Sequence, residues 1–165
     1  MDDETIVEKM KQLAVLIEYD PIDKSYLSKA MCVNVLDNGN TSNKEYYNGS
    51  LATLGDTVLK LIITEKLYRL GYNRREITVN KSYIESNENL HRKTRELEIY
   101  RFSYNDQYFY DDAPKHEQLP NSQHDMYIEA IIGAIYLDRG LQYCKEWIDR
   151  FMSNELVYLQ SPHQE

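Results

Sequence analysis

Apolar residues recur along most of this chain at steps of three and four. Ile6, Met10, Leu13 and Leu16 or Ile17 share one face of a first amphipathic helix. IEYDP ends it, because Pro21 discourages helical backbone at the residue before it. DKSYLSKAMCVNV predicts a second helix, with Leu27, Ala30 and Met31 inward and Asp23 as a cap. LDNGNTSN, dense in Asn, Gly, Ser and Thr, predicts a loop. Asn48 then caps a long third helix through Leu70, with Leu51, Leu54, Val58, Leu59, Ile62 and Ile63 apolar and Gly71 closing it. Ile77 to about Arg95 reads as one more polar helical region. In YRFSYNDQYFYDDAPKHEQLPNSQH, residues 100–124, the period is lost, which predicts an irregular excursion with a short extended piece. The helical period returns in MYIEAIIGAIYLD, ended by Gly140. It continues in LQYCKEWIDRFMSNEL, with Leu141, Cys144, Trp147, Ile148 and Phe151 on one side. The pattern predicts an all-α domain over residues 1–152 and a short tail over 153–165, with no internal repeat.

The length of 165 residues suits one such domain with a real core. Cys32 and Cys144 stand apart, without a disulfide or zinc spacing. MDDETIVEKMK is unlike a targeting peptide, and no apolar run approaches bilayer length, so a cytoplasmic setting with no membrane partner is expected. A net charge of −8 argues against an all-round basic coat. Arg69 to Arg95 nevertheless holds seven Lys/Arg against three Glu. Arg74, Arg75, Arg92, Lys93 and Arg95 are therefore candidate phosphate contacts, and a solvated helical face explains them equally well. Tyr104, Tyr108 and Tyr110 could stack on bases, but packing within their own loop is the stronger expectation.

Positions 49, 52 and 56 fall on one face of the third helix, and they carry Gly49, Ala52 and Asp56. Glu129 sits among isoleucines, with Asp125 one turn earlier. A carboxylate in such surroundings needs a cation, a metal or a hydrogen-bond donor. The plainer alternative is a pair of ordinary polar positions, with Glu129 bound to a Lys or Arg.

NGSLATLGDTVLKLIITEKLY (Asn48–Tyr68) and IEAIIGAIYLDRG (Ile128–Gly140) together resemble the catalytic domain of the ribonuclease III family, and IEYDPIDKSYLSKAM resembles its opening segment. The resemblance implies an all-α ribonuclease III-like endonuclease domain that forms a homodimer and processes double-stranded RNA with Mg²⁺ or Mn²⁺. It implies that Asp56 and Glu129 are the catalytic, metal-holding acids, with Asp125 and Glu76 as further candidates. The family's other acids fall on Gly49, Ala52 and Met126, which are not metal ligands, and its interface aromatic falls on Thr53. With two of four carboxylates gone, weak metal binding and inefficient cleavage are expected. An active minimal endonuclease built on Asp56 and Glu129 stays open, as does a non-catalytic scaffold, a ribonucleoprotein subunit or a partner for another ribonuclease chain. No double-stranded-RNA-binding domain is expected within these residues.

Overall fold

The computed structural model describes residues 1–36, 44–124 and 126–156. The chain runs α1 (Asp3–Leu16), α2 (Ser25–Met31), β1 (Val35–Leu36), β2 (Glu45–Tyr46), α3 (Gly49–Arg69), α4 (Arg74–Ile84), α5 (Asn87–Glu96), α6 (Met126–Phe151) and α7 (Ser153–Leu156). Two 3₁₀ turns, Ile99–Phe102 and Tyr110–Asp112, punctuate the excursion. The all-α expectation holds, and the two strands are a two-residue ladder pairing Val35 with Tyr46 and Leu36 with Glu45.

α3 and α6 form the centre, with α2 laid on α6 and α4 on α3. Apolar α3 positions Val58, Leu59, Ile62, Ile63 and Leu67 meet Ile128, Ile131, Ile132 and Ile135 of α6 in one buried cluster. Glycine lets the two helices touch. A Cβ on Gly55 would lie 1.6 Å from the Glu129 carbonyl oxygen, and one on Gly133 would lie 2.4 Å from the Leu51 carbonyl oxygen. The backbones therefore cross in direct contact, which places Asp56 and Glu129 beside the same crossing. Gly140 (φ 83°) breaks α6 where the sequence predicted a stop, and Gly71 (φ 88°) follows α3.

Four boundaries differ from the sequence reading. α2 stops at Met31 because the chain leaves it to pair with the excursion: the Val33 N–H donates to the Tyr104 carbonyl at 2.8 Å. Asp23 accepts from the Ser25 N–H at 2.9 Å, one residue outside the formal cap Lys24. The polar region after Ile77 is two helices, because Ser86 adopts extended backbone and caps α5 through the Asn89 N–H. At the C-terminal end, Ser153–Leu156 form α7, and its Glu155 and Leu156 are buried, so the described start of the expected tail is helical and anchored by these two side chains. The loop over 37–43, Asp125 and the stretch 157–165 lie outside the described residues.

The excursion packs on its own aromatics. Tyr104 is buried against Phe109, and Tyr110 meets Tyr100 edge-on at 5.0 Å between centroids. Asp138, in the YLDRG stretch, accepts from the Tyr19 hydroxyl and from the Ile22 and Asp23 N–H groups. It thereby clamps the α1–α2 turn, and burial together with this carboxylate raises the Tyr19 phenol above its usual range.

Candidate functional site

Asp56 projects from the middle of α3, one residue past the glycine crossing. Its Oδ2 accepts from Lys60 Nζ at 2.7 Å, an i,i+4 pair on the same helical face. Glu129 stands on α6, its backbone at the crossing, and is half-buried. A third carboxylate, Glu85, follows the last turn of α4, with its side chain only 13% exposed and Lys81 Nζ 3.7 Å away. Its Oε2 is buried without a hydrogen-bond partner. The Asp56 hydrogen bond and the nearby charges of Asp56, Glu85 and Glu129 hold the Lys60 ammonium above its ordinary pKa.

The opposite half of the site is apolar. A Cβ on Gly49 would meet Met126 Sδ at 3.7 Å, so the thioether lies beside the Gly49 position. Ala52 is buried. Oxygen ligands are what Mg²⁺ demands, and neither Ala52 nor Met126 offers one. No group of three or more His, Cys, Asp or Glu side chains arranged to hold a metal ion occurs among the described residues. Among the described residues, Ala52 and Met126 therefore add no ligand for the divalent ion that the sequence resemblance implies.

Other candidates are placed as follows. Glu76 is occupied in the first turn of α4: its Oε1 accepts from the Asn73 N–H at 3.1 Å, and Asn73 Oδ1 accepts from the Glu76 N–H at 2.9 Å. It closes a capping box at the start of α4. Arg74, Arg75 and Arg95 are exposed. Arg92 binds Glu96 and Glu155. Lys93 is a correction, because its ammonium is buried against Glu155 and the Phe151 carbonyl and cannot face a phosphate. Sequence reasoning missed Lys60 and Glu85. The four-residue step from Asp56 made Lys60 visible, whereas nothing local ties Glu85 to α3.

Burial raises the pKa of Glu85, against the opposing pull of Lys81 and Lys60 and with help from the Asp56 charge. A carboxyl raised in the folded state binds its proton more tightly there than when unfolded. Its contribution is therefore favourable below the ordinary value of about 4.3 and is lost as pH climbs through the raised value. Glu85→Gln is expected to melt higher than the wild type at pH 7, with the gap closing toward pH 4 in a thermal melt series. A wild type that melts higher at pH 7 would contradict this.

Comparison with known proteins places these features in a lineage. The family model for the ribonuclease III domain matches residues 49–140. Ribonuclease 3 of Borreliella burgdorferi is 34% identical over 148 residues, covering 86% of this chain and 58% of its own length. Ribonuclease 3 of Zunongwangia profunda is 31% identical over 157 residues, covering 86% and 55%. The chain thus spans little more than half the length of these curated relatives. Two solved structures of the nuclease domain of ribonuclease III from Campylobacter jejuni superpose with TM-scores of 0.65 at 23% and 22% identity. They cover 92% and 97% of this chain and 99% and 100% of their own, and one is described for flexibility in a region involved in dimer formation.

Proposed function

Because this chain belongs to the ribonuclease III family, we propose that it engages double-stranded RNA as a pair of identical copies and cuts that RNA poorly or not at all. The observation that carries this reading is the Asp56–Lys60 pair beside the apolar surface of Ala52 and Met126. Acids survive on only one side of the face, and a lysine already faces them.

The exposed arginines support an RNA-facing role. Arg74 and Arg75 occupy the first turn of α4, where the helix dipole disfavours cations by about 0.3–1 kcal/mol each. Helix stability does not explain them, whereas a phosphate backbone does. Arg95 adds a third exposed charge, and Arg92 a shared one. For pairing of two copies, the exposed Leu36, Tyr47 and Leu137 border a shallow groove floored by Leu51 and Leu54. Exposed apolar surface of this kind marks protein contacts. Thr53 sits exposed on the same helix, so these side chains replace the aromatic anchor that the family carries there.

The test is a mobility shift with long double-stranded RNA over a salt series in Mg²⁺, with the same mixtures run on a denaturing gel and the free protein sedimented. Expected are a mass of two chains, intact RNA, and binding that falls steeply with salt. Arg74→Gln should flatten the slope of log affinity against log salt by about 1. Fragments that vanish in Asp56→Ala would replace this reading with an active endonuclease. Absence of RNA binding would leave a scaffold or a ribonucleoprotein subunit.

A further inference from the structure

A polar cleft of about 390 Å³ opens between the β1–β2 ladder and the excursion. Among the described residues its walls include Asn34, Lys44, Tyr46, Gln107, His116 and Gln118. We propose that this cleft takes an unpaired nucleobase of RNA, from an overhang, bulge or loop, which rests on the reading that the chain engages RNA.

The walls are pre-formed, as ligand clefts usually are. Asn34 Nδ2 donates to Asp106 Oδ1 at 2.7 Å, and the Asp106 N–H donates to Asn34 Oδ1 at 2.8 Å. This reciprocal pair ties the residue before β1 to the excursion. Asn105 Oδ1 accepts from the Gln107 and Tyr108 N–H groups, both at 2.8 Å, and so fixes the turn that carries Gln107. The Tyr46 ring meets His124 edge-on at 5.1 Å, and His124 meets Tyr127 at 4.9 Å. The Tyr127 hydroxyl donates to the Pro120 carbonyl at 2.6 Å, which fastens that wall to the first turn of α6. Because Tyr46 leads into α3, the cleft adjoins the starts of the two helices that carry Asp56 and Glu129.

The walls offer amide chemistry with little net charge. Gln107 and Gln118 are exposed, and their carboxamides have no hydrogen-bond partner among the described residues. A carboxamide carries a donor and an acceptor side by side, the pairing that matches the edge of a base. Tyr46 and His116 supply rings on which a base can stack. Asp106 and Glu117 offset Lys44, so a bare phosphate gains little from the cleft as a whole. An apolar ligand would cover the amides without bonding them. A flat, neutral ligand with a polar edge suits these walls, and RNA presents one wherever a base is unpaired. Within a duplex that edge is taken by the complementary strand, which excludes paired bases.

The experiment titrates the isotope-labelled full chain with AMP, CMP, GMP and UMP, each against ribose phosphate, and follows backbone amide resonances by NMR. Shifts are expected at residues 33–35, 44–46, 105–107 and 116–120 with at least one nucleotide, and not with ribose phosphate. Gln107→Ala combined with Gln118→Ala should weaken that nucleotide at least about fivefold, the low end for one base-edge contact. Both residues are exposed, and the same spectra report whether the variant is folded. In a second arm, duplex RNA with single-stranded overhangs should bind at least about fivefold more tightly than the blunt duplex, and the double variant should remove that gain. Equal shifts with ribose phosphate, no shifts at the cleft, or an overhang that adds nothing would each overturn the base site and leave duplex binding standing. Nucleotide shifts at the cleft of a chain that binds no duplex would keep the base site and remove the reading of duplex engagement.

Discussion

Gly55→Ala is expected to destabilise the fold by about 3 kcal/mol or more, the upper end of what overpacking does to a well-packed interior. The added methyl would sit 1.6 Å from the Glu129 carbonyl oxygen, 2.6 Å from its carbon and 2.8 Å from the Gly133 nitrogen. All three are backbone atoms of α6, so no side chain can rotate away and the two central helices must separate. Gly133→Ala should behave alike, since its methyl would meet the Leu51 carbonyl oxygen at 2.4 Å. Gly49→Ala should have the opposite sign. Its methyl would touch only Met126 Sδ at 3.7 Å, an ordinary contact, and replacing a helical glycine with alanine stabilises by about 0.5–1 kcal/mol. Urea unfolding followed by circular dichroism checks the set. Equal midpoints for Gly55→Ala and Gly49→Ala would mean that the helices are not in backbone contact. A loss of stability at Gly55 would also part Asp56 from Glu129, so the LGD glycine serves fold and site together.

Periodicity made α1, α3 and both halves of α6 legible, because each has an apolar stripe and a proline or glycine stop. The break between α4 and α5 was not legible. Ser86 interrupts a polar stretch in which no apolar stripe changes phase, and its capping role depends on backbone conformation. The juxtaposition of Asp56 with Glu129 came from resemblance to a family, since no spacing within the chain relates the two helices. Lys60 was within reach of local reasoning, one turn from Asp56, but an i,i+4 pair reads as surface decoration until other acids are found around it. Glu85 could not be found that way, because its neighbours come from the packing of α4 on α3. The five basic candidates looked equivalent in the sequence. Burial separated them, and the residue responsible lies near the far end of the described chain.

That residue is Glu155, and Glu155→Ala is expected to cost about 3–5 kcal/mol, the range for breaking a buried ion pair from one side. The carboxylate is 1% exposed; its Oε1 accepts from Arg92 Nη2 at 3.1 Å and forms an ion pair with Lys93 Nζ at 3.2 Å. Lys93 is 9% exposed. Without Glu155 its ammonium keeps the Phe151 carbonyl at 2.8 Å and the Phe151 ring at 4.8 Å, but no counter-charge. Arg92 is 40% exposed, so it can turn to water and retain Glu96. The penalty therefore falls on Lys93 and would free α7 from α5. Replacing both partners removes the stranded charge: Lys93→Met with Glu155→Leu should recover most of the loss and can exceed wild-type stability. Urea midpoints for the wild type, each single variant and the double variant form a double-mutant cycle, and the coupling should be at least about 2 kcal/mol. A coupling near zero would show that the pair is not formed. The double variant also separates structure from function. If Lys93 faces inward as placed, a folded Lys93→Met/Glu155→Leu chain should bind double-stranded RNA with the wild-type salt dependence, whereas loss at Arg74 should not be so silent.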